Sequence, residues 1–417
     1  MTRLYILMVR SVRIRELFGP PLPLKLGITM KIHPRNSKLE TESAFKVLAR
    51  AQALEREGRE IVHLQIGQPD FPTPSHICEA ATKAIGEGKT GYGPTPGIPP
   101  LREAIAEDAG RRRGIALDPS QVIVTPGAKP IMLYTIQSLV GEGDEVIYPD
   151  PGFPMYGSLI GHSGATGVPL AIREENQFSF DRDEFKSKVT DRTRLIILNY
   201  PHNPTGGSLT REDLETVAEV AREKDIAVLA DEIYINFVYE GEFLSIASLP
   251  GMAERTIILD GFSKSYAMTG WRLGYGIVPP ALAETFELYS VNIVSCACTF
   301  SQHGALAAIT GPQDDLHTMV AEFRRRRDFL VEGLNDLPNV SCITPKGAFY
   351  AFPNVKETGM SAEDLAHSLL EEAGVAVLPG SAFGNAAAGY LRLSYATSME
   401  LLEAGLERMR DFLKKTQ

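Results

Sequence analysis

The sequence predicts an α/β fold in which a mostly parallel central sheet is covered by helices on both faces. From about residue 80 to residue 280, apolar runs rich in β-branched residues alternate with segments whose apolar residues recur at helical spacing. Several of these runs lack the alternation of a half-buried strand, which is typical of strands buried on both faces. Repeated strand–helix–strand units build parallel sheets, and ligands bind such sheets at the carboxyl ends of the strands.

Six strands are predicted within this region. They cover residues 122–125, 145–148, 195–199, 226–232, 256–260 and 274–278. The segment 211–225 ("REDLETVAEVAREKD") has helical spacing and separates two of them. After about residue 312 the pattern changes to a long charged helix over 313–337, followed by short strands within 348–353 and 391–396. This change indicates a second, smaller α+β domain.

A chain of 417 residues is too long for one compact core, which indicates two domains or one enlarged α/β unit. We expect a large domain over 61–311 and a small one over 312–417, with residues 30–60 packing on the small domain through the amphipathic stretch 43–58. Residues 1–29 are basic and are interpreted as an extension outside the core or as a start codon called too early. The four arginines at 324–327 are interpreted as a solvated helix face.

Charge and cysteine content exclude several classes of function. The net charge is −10, with 52 acidic against 42 basic side chains, which argues against a nucleic-acid partner or an anionic membrane. The four cysteines form no C-x-x-C pair, so a reducing, cytoplasmic location and no metal site are expected. No apolar run approaches the ~20 residues of a membrane span.

Polar side chains follow three of the predicted strands. Asn203 lies in the irregular stretch "NYPHNPTGG" after 195–199, Asp231 ends 226–232 with Tyr234 three residues beyond it, and Lys264 follows 256–260. Each has a simpler interpretation as a turn, a structural salt bridge or a surface lysine, and His202 is interpreted as a loop histidine. Because the carboxyl ends of parallel strands meet at one edge, we expect the four side chains to lie close together.

This set of side chains suits pyridoxal 5′-phosphate (PLP). A lysine amine forms a Schiff base with an aldehyde, and an acidic partner such as Asp231 keeps the ring nitrogen protonated. Asn203 and Tyr234 are hydrogen-bond donors for the phenolate oxygen of the ring. Arg272 and the glycine-led turn that opens an apolar helix at 125–140 offer a cation and free backbone N–H groups to the phosphate.

From about residue 61 to residue 397 the chain resembles the class I and II, fold-type I PLP-dependent aminotransferases. The stretch "GFSKSYAMTGWRLG" fits the lysine signature of that family, and "NPTG" and "DE-x-Y" are two further hallmarks in the expected order. The resemblance implies that Lys264 is the Schiff-base lysine and the general acid–base of transamination. It also implies that Arg272 binds the phosphate.

The same resemblance implies further contacts with the cofactor. Phe153 in "PDPGFPMY" stands where relatives stack an aromatic ring on the cofactor, and Ala128 and Lys129 stand at phosphate-binding N–H positions. Ser263 is the candidate for a phosphate-binding hydroxyl. Tyr92 in "TGYGPTPG" corresponds to a phosphate ligand that reaches across a dimer interface, so a homodimer with its site at the interface is implied. The simpler interpretations of Tyr92 and Phe153 are a buried loop tyrosine and a hydrophobic loop.

The resemblance also implies substrate contacts. Arg392 in "YLRLSYATS" corresponds to the arginine that holds the substrate α-carboxylate, with Asn203 and the backbone of Gly67 beside it. Lys129 stands where some aspartate-type relatives bind the distal carboxylate of a dicarboxylic substrate. The expected activity is ping-pong transfer of an amino group between an L-amino acid and a 2-oxo acid. Aspartate or glutamate is favoured as donor, and alanine or an aromatic amino acid remains open.

Two other functions are compatible with these residues. A fold-type I PLP lyase shares every residue named above, because the cofactor permits several fates for one carbanion. A non-catalytic PLP-binding regulator is less favoured, because no DNA-binding module precedes residue 60.

Overall fold

The structure is a computed structural model and describes residues 31–416. The β-strands in this range are β1 Val62–His63, β2 Val122–Thr125, β3 Glu145–Asp150, β4 Thr166–Arg173, β5 Ser179–Phe180, β6 Thr193–Asn199, β7 Ala227–Asp231, β8 Thr256–Gly261, β9 Gly274–Ile277, β10 Tyr350–Ala351, β11 Val375–Ala376, β12 Leu378–Pro379 and β13 Leu391–Ser394. The α-helices are α1 Ser43–Arg56, α2 Ser75–Gly86, α3 Pro99–Arg113, α4 Lys129–Leu139, α5 Met155–Ser163, α6 Arg182–Lys188, α7 Arg211–Glu223, α8 Phe262–Ser265, α9 Pro280–Ile293, α10 Thr299–Thr310, α11 Asp314–Asn335, α12 Ala362–Ser368 and α13 Met399–Thr416. A π-helical turn, Leu369–Ala373, follows α12.

An eight-stranded sheet forms the centre of the fold. Its strand order is β2-β9-β8-β7-β6-β3-β4-β5. The pairs from β8 to β4 are all parallel, while β9 is antiparallel to both its neighbours and β5 is antiparallel to β4. The predicted α/β fold with a mostly parallel sheet is therefore confirmed.

The register of the parallel strands brings their polar ends together. Asn199 at the end of β6 pairs with Asp231 at the end of β7, and Asp231 pairs with Leu259 of β8. Apolar side chains fill the interior of these strands; Ile196 and Leu229, for example, are fully buried. Burial on both faces explains the unbroken apolar runs of the sequence.

The chain reverses between β8 and β9. Gly261 pairs with Gly274, so the sheet receives β9 at the same edge at which β8 leaves it. Lys264 follows β8 and Arg272 precedes β9. Both cations therefore lie at the edge formed by Asn199 and Asp231.

Two smaller sheets form around the C-terminal part of the chain: β10-β13-β12, and β1-β11, in which Val62–His63 pairs in parallel with Val375–Ala376. One buried aromatic cluster joins this part to the large sheet, since the Phe237 ring lies 5.8 Å from Phe323 and 5.5 Å from Phe349 between ring centroids. Ala51 and Leu54 of α1 pack in a separate small cluster with Leu370, Ala376 and Ile61. The division into domains at 60/61 and 311/312 stays a prediction.

The arginine run in α11 is only partly solvated, so its interpretation as a solvated face was wrong for two of its four members. The side chains of Arg326 and Arg327 are 7% and 4% exposed, against 61% for Arg325. Arg326 pairs with Asp70 at 2.7 Å and lies over the ring of Phe71, 5.0 Å from its centroid. A long guanidinium side chain can bury its stem against aromatic rings when a carboxylate meets its head.

Between residues 31 and 416, no helix is long and apolar enough to cross a membrane.

Candidate active site

A cavity of about 620 Å³ lies at the carboxyl edge of β6, β7 and β8. It brings together every predicted site residue except Tyr92. Those that line it are Gly67, Ala128, Lys129, Phe153, Asn203, Asp231, Tyr234, Ser263, Lys264, Arg272 and Arg392.

Lys264 lies on the short helix α8, with its side chain directed toward the N-terminal glycine loop. Its Nζ donates a hydrogen bond of 2.6 Å to the carbonyl of Gly67. Burial, together with the positive charge of Arg392, lowers the pKa of the Lys264 ammonium to about 8. A substantial fraction of the amine is therefore neutral near physiological pH, as a nucleophile requires.

Asp231 is a buried carboxylate that faces the cavity and forms no ion pair within residues 31–416. The Tyr156 hydroxyl donates to Oδ2 at 2.6 Å, and the Ile233 N–H donates to Oδ1 at 3.3 Å. Burial raises the pKa of Asp231 to about 6, although the hydrogen bond from Tyr156 acts in the opposite direction. A protonated ring nitrogen would supply the positive partner that this carboxylate lacks among residues 31–416.

The neighbouring carboxylate, Glu232, has the structural salt bridge that was the alternative interpretation of Asp231. It accepts a hydrogen bond of 2.6 Å from Nε of Arg113, and both side chains are fully buried. Ser245 donates to the same carboxylate at 2.6 Å, and Arg113 also pairs with Asp260 at 2.8 Å. Glu232 thus stabilises the fold, and Asp231 is left for the cavity.

Asn203 and Tyr234 are both buried at the cavity wall. The Asn203 N–H donates to the side chain of Asn199 at 3.0 Å, which fixes the loop after β6. The hydroxyls of Tyr234 and Tyr350 lie 2.7 Å apart. Burial and the neighbouring Tyr350 raise the pKa of Tyr234, so its hydroxyl stays protonated and can donate.

Arg392, on β13, is a buried guanidinium that no carboxylate of the described chain neutralises. It donates to the Gln65 carbonyl, its Nη1 lies 3.5 Å from Oδ1 of Asn203, and its Nε has no partner within residues 31–416. Its Cζ lies 4.6 Å from the centroid of the Tyr350 ring and 4.9 Å from that of Phe383. A buried, incompletely paired guanidinium is suited to bind a carboxylate that enters from the cavity.

The other end of the cavity is suited to an anion such as phosphate. Helix α4 begins at Lys129, directly after Ala128, so the backbone N–H groups of these two residues lie at its N-terminus, whereas Pro130 has no N–H and the Ile131 N–H donates to the Ala128 carbonyl at 3.1 Å. Arg272 donates from Nη1 to the Thr269 carbonyl at 3.1 Å. Gly127 has φ +74°, and a Cβ on it would lie 2.2 Å from Nη2 of Arg272. The turn therefore brings backbone and guanidinium into direct contact.

Lys129 forms an ion pair with an acidic residue of the same chain. Its Nζ is paired with the carboxylate of Glu42, and it lies 5.4 Å from the centroid of the Phe153 ring. Phe153 meets Tyr156 edge to face, with ring centroids 5.8 Å apart.

Tyr92 is not brought to the cavity within one chain. Its side chain is 92% exposed, and its loop is tied to α10 by a 2.8 Å hydrogen bond from Thr299 to the Gly91 carbonyl. Its role as a phosphate ligand of a partner subunit stays a prediction.

Three residues at the cavity were missed from the sequence: Tyr156, Tyr350 and Glu42. Tyr156 and Tyr350 lie within stretches singled out for other reasons, "PDPGFPMY" and "AFYAFP". A tyrosine three residues after Phe153 carries no signal of its own, because its partner Asp231 is 75 residues away. Glu42 lies just before an amphipathic helix, where an acidic residue is ordinary.

The polar groups that line the cavity fit the cofactor PLP. An amine of lowered pKa, a buried carboxylate, two buried polar side chains and a cationic helix terminus surround one cavity. These groups match the aldehyde, ring nitrogen, phenolate oxygen and phosphate of that cofactor. Lys264, Asp231, Asn203, Tyr234 and Arg272 are the residues that would hold it.

Comparisons with known proteins agree with this interpretation. Residues 59–409 match the family described as aminotransferase class I and II. An aromatic-amino-acid aminotransferase of Thermococcus litoralis is 40% identical over 390 residues, 93% of this chain and 99% of that relative. An aspartate aminotransferase of Pyrococcus abyssi is 41% identical over 361 residues, 86% of this chain and 92% of that relative. The crystal structure of an aspartate aminotransferase from Thermus thermophilus with maleate has a TM-score of 0.88 at 36% identity and covers 92% of this chain and 100% of that one.

Proposed function

The chain belongs to the class I and II aminotransferases and is a PLP-dependent transaminase, and we propose that it transfers the amino group of aspartate or glutamate to a 2-oxo acid by a ping-pong mechanism. The observation that carries the residue roles is that Lys264, Asp231 and Arg392 face one cavity. Bound PLP supplies an aldehyde for covalent attachment and a ring that accepts electrons.

Lys264 has two roles in the proposed reaction. Its neutral amine would hold the cofactor covalently, and the same amine, when free, would remove the proton from the substrate Cα. The lowered pKa of Lys264 supports both roles, because an ammonium can neither attack a carbonyl nor accept a proton. Asp231 would keep the ring nitrogen protonated, and Tyr234 and Asn203 would donate to the phenolate oxygen.

Arg392 positions the substrate. Its guanidinium binds the α-carboxylate, with Asn203 beside it at 3.5 Å and the Gly67 backbone lining the same cavity. This contact fixes the Cα–H bond within reach of the Lys264 amine, and such orientation supplies a large part of the rate in bimolecular enzyme reactions.

The proposed donor class is supported by Lys129 at the cavity and by relatives named as aspartate aminotransferases. A panel of L-amino acids against 2-oxoglutarate tests it. We expect aspartate to give a higher kcat/KM than alanine or phenylalanine. A higher kcat/KM for phenylalanine would contradict the proposed donor.

The reaction type has its own test. One L-amino acid, added without an oxo acid, should release one oxo acid per subunit and no ammonia. Continuous production of pyruvate and ammonia would instead identify a lyase. The Lys264→Ala variant should be inactive in both assays.

We also propose a homodimer in which each subunit contributes Tyr92 to the site of the other. The exposed position of Tyr92 supports this, as do the exposed apolar residues Leu288, Val291 and Ile293 of α9. The test mixes Lys264→Ala and Tyr92→Ala subunits. If Tyr92 acts across the interface, hybrids regain one intact site and activity rises above that of either variant; unchanged activity would contradict the arrangement.

A cytoplasmic location is proposed from the four cysteines, Cys78, Cys296, Cys298 and Cys342, which form no disulfide. Fractionation of the source cells with an antibody to the protein tests it, and recovery outside the cytoplasmic fraction would contradict it.

A further inference from the structure

The ion pair between Glu42 and Lys129 lies at the wall of the active-site cavity. The Glu42 side chain is 20% exposed and the Lys129 side chain is 52% exposed, so the carboxylate is the more buried partner. Glu42 directly precedes α1, and Ser43, Ala44 and Phe45 line the same cavity. The start of α1 therefore forms part of the cavity wall.

The negative charge of Glu42 acts on the groups at the centre of the site. Burial lowers the pKa of both Lys264 and Arg392, and in both cases the Glu42 carboxylate acts in the opposite direction. Glu42 is thus close enough to the substrate position for its charge to matter there.

The segment that carries Glu42 is attached to the rest of the fold. The Glu40 N–H donates to Oγ of Ser158 in α5 at 2.9 Å. The carboxylate on Lys129 is therefore held by a defined backbone contact two residues away.

We propose that Glu42 is a specificity-determining residue whose carboxylate occupies the place on Lys129 that the distal carboxylate of a dicarboxylic substrate would take. The inference rests on the proposed function and deepens it. A dicarboxylic substrate must displace Glu42 from Lys129 or share one ammonium with it, and two carboxylates at one ammonium repel each other. A monocarboxylic substrate leaves the pair intact and meets the apolar wall of Phe45 and Phe153.

This arrangement explains how one cavity can serve two kinds of substrate. In a ping-pong reaction, donor and acceptor enter the same site in turn. When Glu42 and Lys129 are paired, the cavity wall near Lys129 carries little net charge and suits a substrate with a neutral side chain. With Glu42 displaced, the same ammonium binds a distal carboxylate.

A binding experiment tests the inference without turnover. The PLP-loaded protein is titrated by calorimetry with succinate and with butyrate, which differ by one carboxylate. In Glu42→Gln we expect succinate to bind at least about threefold more tightly and butyrate to bind as before, the scale of a partly exposed ion pair. In Lys129→Gln succinate should bind more weakly, and adding Glu42→Gln to that variant should change nothing further.

Glu40→Gln is the matched control, since Glu40 lies two residues away on the same segment and does not line the cavity. We expect it to bind both ligands as the unmodified protein does. Equal effects of Glu42→Gln on succinate and butyrate, or weaker succinate binding, would overturn the inference.

Kinetics provide a second readout. The ratio of kcat/KM for aspartate to that for alanine should rise at least about threefold in Glu42→Gln. If no amino acid supports turnover in the unmodified protein, the proposed function fails, while the succinate–butyrate comparison still decides the role of Glu42.

Discussion

Asp231 and Glu232 are adjacent in the chain, yet the carboxylate of Glu232 pairs with a buried guanidinium while that of Asp231 accepts hydrogen bonds from a phenol and a backbone N–H. The strand end places one carboxylate in the structural network of Arg113 and the other at the cavity. Of two adjacent carboxylates, Glu232 therefore stabilises the fold, and Asp231 is left for the proposed reaction.

This separation predicts that two amide substitutions affect different properties, one the activity and the other the stability of the fold. Asp231→Asn should lower kcat/KM by about 100-fold or more, because a neutral amide does not stabilise a protonated ring nitrogen. It should leave the urea unfolding midpoint nearly unchanged. Glu232→Gln should destabilise the fold by about 3 kcal/mol, because Arg113 loses a buried charged partner. Equal losses of stability in the two variants would contradict the assignment.

Tyr156 is expected to tune Asp231. Its hydrogen bond lowers the pKa of a carboxyl group that burial raises to about 6. Tyr156→Phe removes that bond, so the pKa of Asp231 should rise and the carboxyl should become neutral at a higher pH. As the pH is lowered, the affinity of the cofactor-free variant for PLP should therefore begin to fall at a higher pH than that of the unmodified protein. Titration of the PLP phosphate is common to both proteins and cancels in the comparison.

The rate of PLP uptake should depend on the protonation of Lys264. Its pKa of about 8 means that the amine is mostly charged below pH 8 and mostly neutral above it. Because only the neutral amine attacks an aldehyde, the rate of covalent attachment should rise through about pH 8 and then level off. Stopped-flow absorbance measures this rate. In Arg392→Gln, loss of a nearby positive charge should move the midpoint to higher pH.

Arg392→Gln also tests substrate binding. We expect the KM for the amino donor to rise by about 100-fold, because a bidentate carboxylate contact is lost. PLP affinity should change little, since the proposed phosphate contacts, Arg272 and the start of α4, are unaltered. Arg392→Lys should recover part of the loss. A KM close to that of the unmodified protein in Arg392→Gln would contradict this role.

Two neighbouring arginines of α11 provide a stability test. Arg326→Ala removes a buried guanidinium that contacts Phe71 and pairs with Asp70, and should lower the free energy of unfolding by about 3 kcal/mol. Arg325→Ala removes an exposed side chain and should change it by less than about 0.5 kcal/mol. Urea unfolding of the two variants side by side measures the difference.

The sequence predicted six of the eight strands of the central sheet and missed two, β4 and the two-residue strand β5. Each of the six predicted strands of the central sheet overlaps an observed strand. Strand β4 was missed because it contains Pro169 and alternates exposed and buried residues irregularly near the sheet edge. Arg326 was misjudged for a related reason, since its partner Asp70 is 256 residues away.

The same distinction holds at the site. Recognisable local motifs contain Lys264, Asp231 and Asn203, and in the structure these three residues line one cavity. Tyr350 and Glu42 act through partners distant in sequence, so only the folded chain shows that they contact Tyr234 and Lys129. A local motif identifies the chemistry of the site, and the tertiary contacts decide the environment of each group.

The contact between Gly127 and Arg272 limits how this protein can vary. Any other residue at 127 would have to adopt φ +74°, which L-residues rarely do. Its Cβ would also lie 2.2 Å from Nη2 of Arg272. The arginine is the flexible partner and would be pushed away, which would displace the proposed phosphate-binding guanidinium rather than unfold the chain. A saturation library at this position, selected for transamination, should return glycine, whereas one selected for expression alone should tolerate other residues.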